Sequence, residues 1–471
     1  MSMHNCDLII IGAGPGGYET AVRAAKNGLQ VVVVEREHLG GTCLNAGCIP
    51  TKCLCHSAES ITAPSPQGQE EDASKYLASA IERKNEVVEK LKAGVAQLMK
   101  TPGITLVEGE ARFCPTQGLA PSEGKCHTIE VMSASSEEDR TETYSAPNVI
   151  IATGSVTKFL PIPGAHAEGV VTSTELLNLT TLPQRLAIIG GGVIGLEFAS
   201  IFQAMGAQVT VIEFCKEVLP NFDRDLAKRL RTSLKKRGIE FHTSAAAKEI
   251  HEGAPLVVDF EEKGKLQSVE ADLVLMAVGR AANLQSLNLA DMGIETTPRG
   301  IVVDEHMRTN VPGIYAIGDV NGLMQLAHAA SAQGRVALAN ILKGFKELQG
   351  FKDLKVSNDL IPAAVFTVPE AAMVGQTEEQ LTEAGIEYQA HKALYRANGK
   401  ALAMEAEDGL VKILTDHEGK ILGCHILGAH ASDLIHEVTL AMRLGATIHD
   451  IADTVHAHPS LSEILLAAAE A

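Results

Sequence analysis

The chain has 471 residues, which is too long for a single hydrophobic core and predicts several domains. Its formal charge of -18 argues against nucleic acid and anionic membranes as partners, because both are bound by clustered Lys and Arg. The sequence also lacks an apolar run of about 18 residues to span a bilayer and the basic segment of a signal peptide, so we expect a cytoplasmic protein that binds small molecules or proteins.

The first predicted unit is the stretch CDLIIIGAGPGGYETAVRAAKNGLQVVVVERE, which begins at Cys6. An apolar strand leads into the turn of Gly12, Gly14 and Gly17, a helix follows, and a second strand ends at Glu35. In such a βαβ unit the glycines let the backbone approach a pyrophosphate at the helix N-terminus, and the acid can bind a ribose diol. The unit predicts a dinucleotide site. On its own, Glu35 is equally consistent with an ordinary solvated carboxylate.

Four cysteines follow at once in GGTCLNAGCIPTKCLC, residues 40–55. A structural disulfide is disfavoured in a reducing compartment. Zinc stays open as an alternative, because the four thiols and His56 supply more than enough soft ligands. The third interpretation is a redox pair: C-x4-C at the start of a helix places Cys43 and Cys48 about one turn apart, and a helix N-terminus favours thiolate.

A second unit, RLAIIGGGVIGLEFASIFQAMGAQVTVIEF, repeats the first with Gly190, Gly192, Gly195 and Glu213. Glu213 follows Gly190 by 23 residues, the same offset that separates Glu35 from Gly12. Two matched units predict two dinucleotide sites in one chain, and hence transfer between two cofactors. Because a carboxylate repels a 2′-phosphate, Glu213 predicts NAD rather than NADP at the second site.

The remaining strands complete the organisation. APNVIIATGS and ADLVLMAVGR end in glycine turns at Gly154 and Gly279, which are plausible crossings between two nucleotide-binding domains. IYAIGDV ends at Asp319, which can reach a second part of a bound dinucleotide or, alternatively, cap the following helix. From about Phe351 the pattern predicts short strands of an antiparallel sheet, and helices from about Ser432.

These motifs carry a family resemblance. GGTCLNAGCIPTK, the two glycine motifs, ATG, IYAIGD and the terminal HAHPSLSE occur in the order and spacing of the flavoprotein disulfide reductases, which the chain resembles over nearly its whole length. The resemblance implies an α/β enzyme with two Rossmann-like domains, for FAD and NAD, and a C-terminal α+β dimerisation domain. The implied division is an FAD-binding domain at 1–149, an NAD-binding domain at 150–279, a central segment at 280–348 and a dimerisation domain at 349–471.

The resemblance also assigns roles to single residues. Cys48 lies against the flavin as the charge-transfer thiol, Cys43 faces the substrate, and electron flow through them disfavours zinc, so no metal is expected. Lys52 pairs with Glu197 near the flavin. The implied FAD-binding residues are Gly12, Gly14, Gly17, Glu35, Lys52, Thr153, Gly154, Asp319 and Ala327. The implied NAD-binding residues are Gly190, Gly192, Gly195, Glu213 and Gly279.

The terminal HAHPSLSE offers two histidines as bases, His456 and His458, and the resemblance selects His458 with Glu463 orienting its ring. A local alternative exists for Glu463, since Ser460-x-x-Glu463 fits a capping box. Cys53 and Cys55 match no family role, and we expect them to be buried as small hydrophobic residues.

The implied reaction is the oxidation of dihydrolipoamide with reduction of NAD. The substrate is carried by the lipoyl domain of an acyltransferase of a 2-oxo acid dehydrogenase complex or by the carrier protein of glycine cleavage. The implied assembly is a homodimer whose active sites are shared between subunits. Family members that reduce glutathione disulfide or mercuric ion are rivals, but Val193 and Glu213 depart from the first pattern and the chain ends without the paired cysteines of the second. An FAD-binding scaffold without catalysis is the rival from another class.

Overall fold

The computed structural model describes residues 3–61, 70–114, 126–133, 141–344 and 354–471. Its strands in chain order are β1 (Met3–Asn5), β2 (Leu8–Ile11), β3 (Val31–Glu35), β4 (Ile104–Cys114), β5 (His127–Ser133), β6 (Thr141–Ala146), β7 (Asn148–Ile151), β8 (Ser155–Thr157), β9 (Val170–Val171), β10 (Arg185–Ile189), β11 (Gln208–Glu213), β12 (Glu240–Thr243), β13 (Ala245–His251), β14 (Leu256–Glu262), β15 (Lys265–Ala271), β16 (Leu273–Met276), β17 (Arg280–Ala282), β18 (Thr296–Thr297), β19 (Gly300–Ile301), β20 (Ile314–Ala316), β21 (Ala363–Val365), β22 (Glu370–Gly375), β23 (Gln389–Leu394), β24 (Leu410–Thr415) and β25 (Ile421–Gly428).

Its α-helices in chain order are α1 (Pro15–Lys26), α2 (Gly41–Ala46), α3 (Cys48–Glu59), α4 (Glu70–Leu98), α5 (Ser173–Leu176), α6 (Val193–Ala204), α7 (Arg224–Lys236), α8 (Ala327–Lys343), α9 (Glu378–Glu383), α10 (Gly399–Ala403), α11 (Ala431–Leu444), α12 (Ile448–Ala452) and α13 (Glu463–Ala469). Short 3-10 helices cover Gly318–Asn321, Asn358–Leu360 and Tyr395–Ala397. Among the helices described, none combines the length and the apolar character that a membrane crossing requires.

The chain divides into two compact units, each assembled from three stretches. The first unit takes Met1–Pro50, Asn85–Thr157 and Arg280–Ser357, and the second takes Thr51–Lys84, Lys158–Gly279 and Asn358–Ala471. The division into four domains therefore stays a prediction, and its last boundary, between 348 and 349, lies outside the described residues.

The first unit contains an eight-stranded sheet in the order β1-β6-β5-β4-β3-β2-β7-β20. The run from β4 to β20 is parallel, and β5 pairs antiparallel with β4 and β6. Every residue of β2 is buried, as expected for a parallel strand covered on both faces. The parallel strands β2, β3, β7 and β20 end at, or within three residues of, Gly12, Glu35, Gly154 and Asp319, so these residues lie at one edge of the sheet.

The second unit contains a parallel sheet in the order β12-β11-β10-β16-β9. Its strands β10, β11 and β16 end next to Gly190, Glu213 and Gly279, which again lie at one sheet edge. A second sheet, β21-β22-β25-β24-β23, is antiparallel and is packed by α11 and α13. The predicted α/β class with two nucleotide-binding sheets and a C-terminal α+β region is confirmed.

A buried ion cluster joins α7 to the antiparallel sheet within the second unit. Lys412 Nζ donates to carboxylate oxygens of Asp223 and Glu378, and both Lys412 and Asp223 are fully buried. The buried His425 hydrogen-bonds through Nε2 with the Gln376 carbonyl at 3.0 Å. Burial lowers the pKa of His425 below its ordinary value. Burial opposes the charge on Lys412, but hydrogen bonds to its two carboxylates raise the Lys412 pKa overall.

Candidate functional site

The first glycine turn is a close approach of backbone to backbone. Gly12 has φ +103°, and a Cβ there would lie 2.3 Å from the Ala152 carbonyl oxygen. A Cβ on Gly17 would lie 1.9 Å from the Gly12 carbonyl oxygen. No described atom lies within 4 Å of a Cβ built on Gly14, and α1 begins directly after this residue with Pro15. The turn therefore offers an uncluttered helix N-terminus, as a pyrophosphate requires.

The second glycine turn has the same geometry. Gly190 has φ +111°, and a Cβ there would lie 2.4 Å from the Ala277 carbonyl oxygen. A Cβ on Gly195 would lie 2.0 Å from the Gly190 carbonyl oxygen. In the described part of the chain, nothing lies within 4 Å of a Cβ on Gly192, the residue before α6. The two turns fit two dinucleotides, one in each compact unit.

The two strand-end acids bind their own glycine turns. Glu35 Oε2 accepts from the Ala13 N–H at 2.7 Å, and its Oε1 accepts from the Glu37 N–H at 2.9 Å. Glu213 Oε2 accepts from the Gly191 N–H, and Oε1 accepts from the Cys215 N–H at 2.6 Å. These contacts were not foreseen from the sequence. Since a carboxylate has about four acceptor positions, each acid can fix its turn and still bind a ribose.

The cysteine pair lies on two helices rather than one, which corrects the expectation of a single helix. Cys43 is in α2 and Cys48 opens α3, with Gly47 between them. A Cβ on Gly47 would lie 2.9 Å from the Thr42 carbonyl oxygen and 3.4 Å from Cys43 Cα. The absent side chain lets the backbone double back close to Cys43. Both cysteines are partly exposed.

The other two cysteines of the motif differ from this pair. Cys53 and Cys55 lie in α3 and are buried, as expected. Burial raises the pKa of both thiols, which disfavours their reactive thiolate form. Within the described ranges, no group of three or more His, Cys, Asp or Glu side chains is placed to hold a metal ion.

Lys52 and Glu197 form an ion pair within the second unit. Lys52 Nζ lies 3.0 and 2.9 Å from the two Glu197 carboxylate oxygens, and Glu197 is only 2% exposed. The Phe366 N–H donates to Glu197 Oε1 at 3.0 Å, and the Phe366 ring lies 4.7 Å from Lys52 Nζ. The expected pair is therefore present. Phe366, which was not predicted from the sequence, contacts both members of the pair, Glu197 through its N–H and Lys52 through its ring.

Asp319 lies in the 3-10 helix Gly318–Asn321 of the first unit. It accepts a hydrogen bond from the Ser155 hydroxyl, and burial raises its pKa above the ordinary value. The capping alternative is wrong, because α8 begins at Ala327 and its N-cap, Leu326, supplies no side-chain hydrogen bond among the described contacts. The Thr153 hydroxyl donates to the Asn283 carbonyl at 2.8 Å, and the Asn283 N–H donates to the Gly154 carbonyl at 3.0 Å.

The two terminal histidines have different surroundings. His456 is only 4% exposed at its side chain, with Nε2 2.9 Å from Glu437 Oε1 and Nδ1 2.9 Å from the Thr454 carbonyl oxygen. The His458 side chain is 79% exposed, and its Nδ1 lies 2.8 Å from Glu463 Oε1. Of these two histidines, only His458 has a ring nitrogen, Nε2, that makes no hydrogen bond with the described residues, which agrees with the choice of this histidine as the base.

Glu463 satisfies both of its predicted interpretations in part. Its Oε2 accepts from the Ser460 N–H at 2.8 Å, one half of a capping box, while Oε1 contacts His458. The N-cap of α13 is Ser462 rather than Ser460. The Ser460 N–H and then His458 lower the pKa of Glu463, so it stays ionised and can hold the ring.

The catalytic candidates are distributed between the units. Cys43 and Cys48 belong to the first, whereas Lys52, Glu197, His458 and Glu463 belong to the second.

Ser155 and Arg280 were not predicted from the sequence as functional residues. Each directly follows a glycine that we had selected, Gly154 and Gly279, and this adjacency was the available signal.

Comparison with protein-family models gives two matches. Residues 6–334 match the pyridine nucleotide-disulphide oxidoreductase family, and residues 361–469 match the dimerisation domain of the same family.

Curated relatives match over nearly the whole chain. Dihydrolipoyl dehydrogenase of Bacillus subtilis is 42% identical, with 98% of this chain and 96% of the relative covered. The mitochondrial dihydrolipoyl dehydrogenase of Pisum sativum is 39% identical, with coverage of 99% and 91%. Among solved structures, LpdA from Mycobacterium tuberculosis superposes with a TM-score of 0.86 at 28% identity, covering 98% of this chain and 99% of that one. The HOCl-induced flavoprotein disulfide reductase RclA from Escherichia coli, in its Cu(II) complex, gives a TM-score of 0.84 at 31% identity, covering 100% and 99%.

Proposed function

The chain belongs to the pyridine nucleotide-disulphide oxidoreductase family, and on this premise we propose that it oxidises protein-bound dihydrolipoamide to lipoamide with reduction of NAD, as a dihydrolipoyl dehydrogenase. The observation that carries the proposal is the presence of two dinucleotide cradles in one chain, by which we mean the glycine turns at residues 12–17 and 190–195. The βαβ unit of the first cradle is followed directly by Cys43 and Cys48. The substrate comes from the full-length similarity to relatives of that name.

FAD and NAD are the cofactors, and the two cradles fit them. All the proposed FAD ligands except Lys52 belong to the first unit, and all the proposed NAD ligands belong to the second. The proposed ligands are Gly12, Gly14, Gly17, Glu35, Lys52, Thr153, Gly154, Asp319 and Ala327 for FAD, and Gly190, Gly192, Gly195, Glu213 and Gly279 for NAD. The chemistry that these two groups supply when bound is two-electron transfer, from a reduced dithiol to the flavin and from there to the nicotinamide.

The proposed redox centre is a disulfide between Cys43 and Cys48. A substrate thiolate attacks Cys43 Sγ, the Cys43–Cys48 bond breaks, and Cys48 leaves as a thiolate. The second substrate thiol then attacks the substrate sulfur that is bonded to Cys43 Sγ, and the bond between these two sulfurs breaks. Lipoamide leaves as a cyclic disulfide, and Cys43 takes up the second proton as a thiol. The substrate loses two electrons and two protons, and the cysteine pair gains the two electrons.

His458 is the proposed base for the first of these protons. Its Nδ1 is held by the Glu463 carboxylate at 2.8 Å, which leaves Nε2 to take a proton from the substrate thiol. Glu463 then stabilises the imidazolium, as carboxylates do for catalytic histidines generally. The low pKa of Glu463 keeps it charged for this task.

Lys52 and Glu197 are proposed to set the electrostatics of the flavin site. A cation stabilises the negative charge that reduction adds to a flavin. The two contacts with Glu197 and the Phe366 ring hold Lys52 in one place, so this charge is preorganised.

The proposed active unit is a homodimer in which His458 serves the cysteines of the other subunit. The C-terminal match to a dimerisation domain supports the dimer. In the single chain, Leu440, Leu444 and Val455 are exposed apolar side chains in the same region as the exposed His458 ring. A second chain that covers these apolar side chains would bury their surface and contact His458 in the same interface. The proposed macromolecular partner is the lipoyl domain of an acyltransferase or a glycine-cleavage carrier protein.

The test is a comparison of substrates with the purified holoenzyme. Lipoamide and glutathione disulfide are each assayed with NADH and with NADPH, and we expect substantial turnover only for lipoamide with NADH. His458→Gln should lower this rate by about 10² to 10⁴ while FAD is retained. His456→Gln is the matched control and should lower it far less. Glutathione disulfide turned over as fast as lipoamide would contradict the proposal.

A further inference from the structure

Three side chains of the first unit form a hydrogen-bonded chain next to the proposed FAD site. Arg280 Nε donates to the Ser155 hydroxyl oxygen at 2.7 Å, and Arg280 Nη2 donates to the Ser155 carbonyl at 2.6 Å. The Ser155 hydroxyl in turn donates to Asp319 Oδ2 at 2.5 Å. Strands β8 and β17 bring the first two together: they pair antiparallel with Arg280 opposite Thr157, so Ser155 is its diagonal neighbour on the same face.

The direction of this chain is fixed by chemistry. A guanidinium group can only donate hydrogen bonds. The Ser155 oxygen must therefore accept from Arg280, and its single proton is left for Asp319. Asp319 in turn must accept at Oδ2, as an ionised carboxylate does. Arg280 thus orients the Ser155 hydroxyl, and through this hydroxyl it favours the ionised form of the Asp319 carboxylate.

Asp319 depends on this support because it is largely buried. Burial raises its pKa, while the Ser155 hydrogen bond and the Arg280 charge lower it. The Arg280 guanidinium is also largely buried, and the charge of Asp319, followed by that of the Cys48 thiolate, opposes the fall in the Arg280 pKa that burial causes. The same two groups therefore counteract the desolvation of the carboxylate and fix its rotation.

We propose that Arg280 and Ser155 are positioning residues for Asp319, and that they hold its carboxylate ionised and oriented so that Oδ1 accepts from a hydroxyl of the FAD in the first cradle. This inference rests on the proposed function, since it takes Asp319 as an FAD ligand. It goes beyond that function by naming two residues that act on the cofactor through Asp319.

The test measures the release of FAD from the diluted holoenzyme by flavin fluorescence between pH 5.5 and 8. Ser155→Ala should release FAD roughly tenfold faster or more, because a hydrogen bond to a charged group is lost. The increase should grow as the pH falls, because Asp319 becomes easier to protonate. Ser155→Thr keeps the hydroxyl and should restore slow release. Thr157→Ala is the matched control: it changes the same strand pair at a weak 3.4 Å contact with Arg280 and should release FAD like the unmodified protein.

A double variant separates positioning from a merely structural role. In an Asp319→Asn background, Ser155→Ala should add little to FAD release and its pH dependence should vanish. An equal effect of Ser155→Ala in both backgrounds, or no effect in either, would overturn the inference. A preparation that holds FAD but does not turn over lipoamide would sink the proposed function alone, whereas a preparation that cannot hold FAD would overturn both.

Discussion

Replacing Lys52 by Met should destabilise the protein strongly, because it leaves a buried charge without its main partner. Glu197 is 2% exposed and accepts two hydrogen bonds from Lys52, so among the described contacts the variant leaves its carboxylate with the Phe366 N–H. Breaking a buried ion pair typically costs about 3–5 kcal/mol. The Lys52 side chain is 32% exposed, and the screening that this allows reduces the expected loss to about 2–3 kcal/mol.

The assay is urea unfolding followed by far-UV circular dichroism, since the chain has no Trp. Protein and FAD concentrations are held constant, because both a dimer and a bound cofactor shift the apparent stability. Lys92→Met is the matched control: the Lys92 side chain is 34% exposed, close to Lys52, but its partner Glu89 is 68% exposed, so loss of this ion pair should cost about 0–1 kcal/mol. The double variant Lys52→Met with Glu197→Leu should recover at least half of the loss. If Lys52→Met costs no more than Lys92→Met, or the double variant stays as unstable, the buried-charge argument fails.

Three further results are expected. Glu213→Ala should narrow an NADH preference of about 10- to 100-fold in kcat/KM, and equal efficiency of the unmodified enzyme with NADH and NADPH would contradict the assignment. Burial lowers the pKa of His425 beside the cluster of Lys412, Asp223 and Glu378, so the neutral ring stabilises the fold fully above about pH 6.5 and less as the pH falls below that value. The urea midpoint should therefore fall between about pH 7 and pH 5, and His425→Gln should make this fall smaller. An equal fall in the variant would contradict the role of His425. A mixed dimer of Cys43→Ala and His458→Gln chains should regain about half the native activity, against parents reduced by about 10² to 10⁴, and no recovery would place the base in its own subunit.

The strand and glycine framework was predictable from local patterns. The LIII of β2 and the four valines that precede Glu35 in β3 are continuous apolar runs, and the glycine spacings determine where backbone crosses backbone. The antiparallel sheet near the C-terminus was anticipated, except for β23. Its sequence QAHKAL contains no buried residue and lacks the apolar-polar alternation that marks a strand, so β23 forms because it pairs with β24 and not because of its own pattern.

The parts of the site that could not be predicted depend on contacts between distant residues. Phe366 meets Lys52 and Glu197 only in the folded second unit, and Ser155 meets Asp319 across 164 positions of the chain. The break between α2 and α3 at Gly47 was also missed, because a helical pattern runs through the cysteine motif and the close approach to Cys43 is not visible in it.

The most direct test of the central claim is the mapping of thiols in the oxidised and reduced enzyme. Cleavage after Arg36 and Lys52 isolates Cys43 and Cys48 on one peptide, separate from Cys53 and Cys55, which serve as internal controls. After treatment with lipoamide, alkylation under denaturing conditions should leave the first pair unlabelled and linked to each other, and treatment with dihydrolipoamide should make both reactive. Cys53 and Cys55 should be labelled in both cases. A first pair that stays labelled after lipoamide, or a change confined to Cys53 and Cys55, would contradict the account.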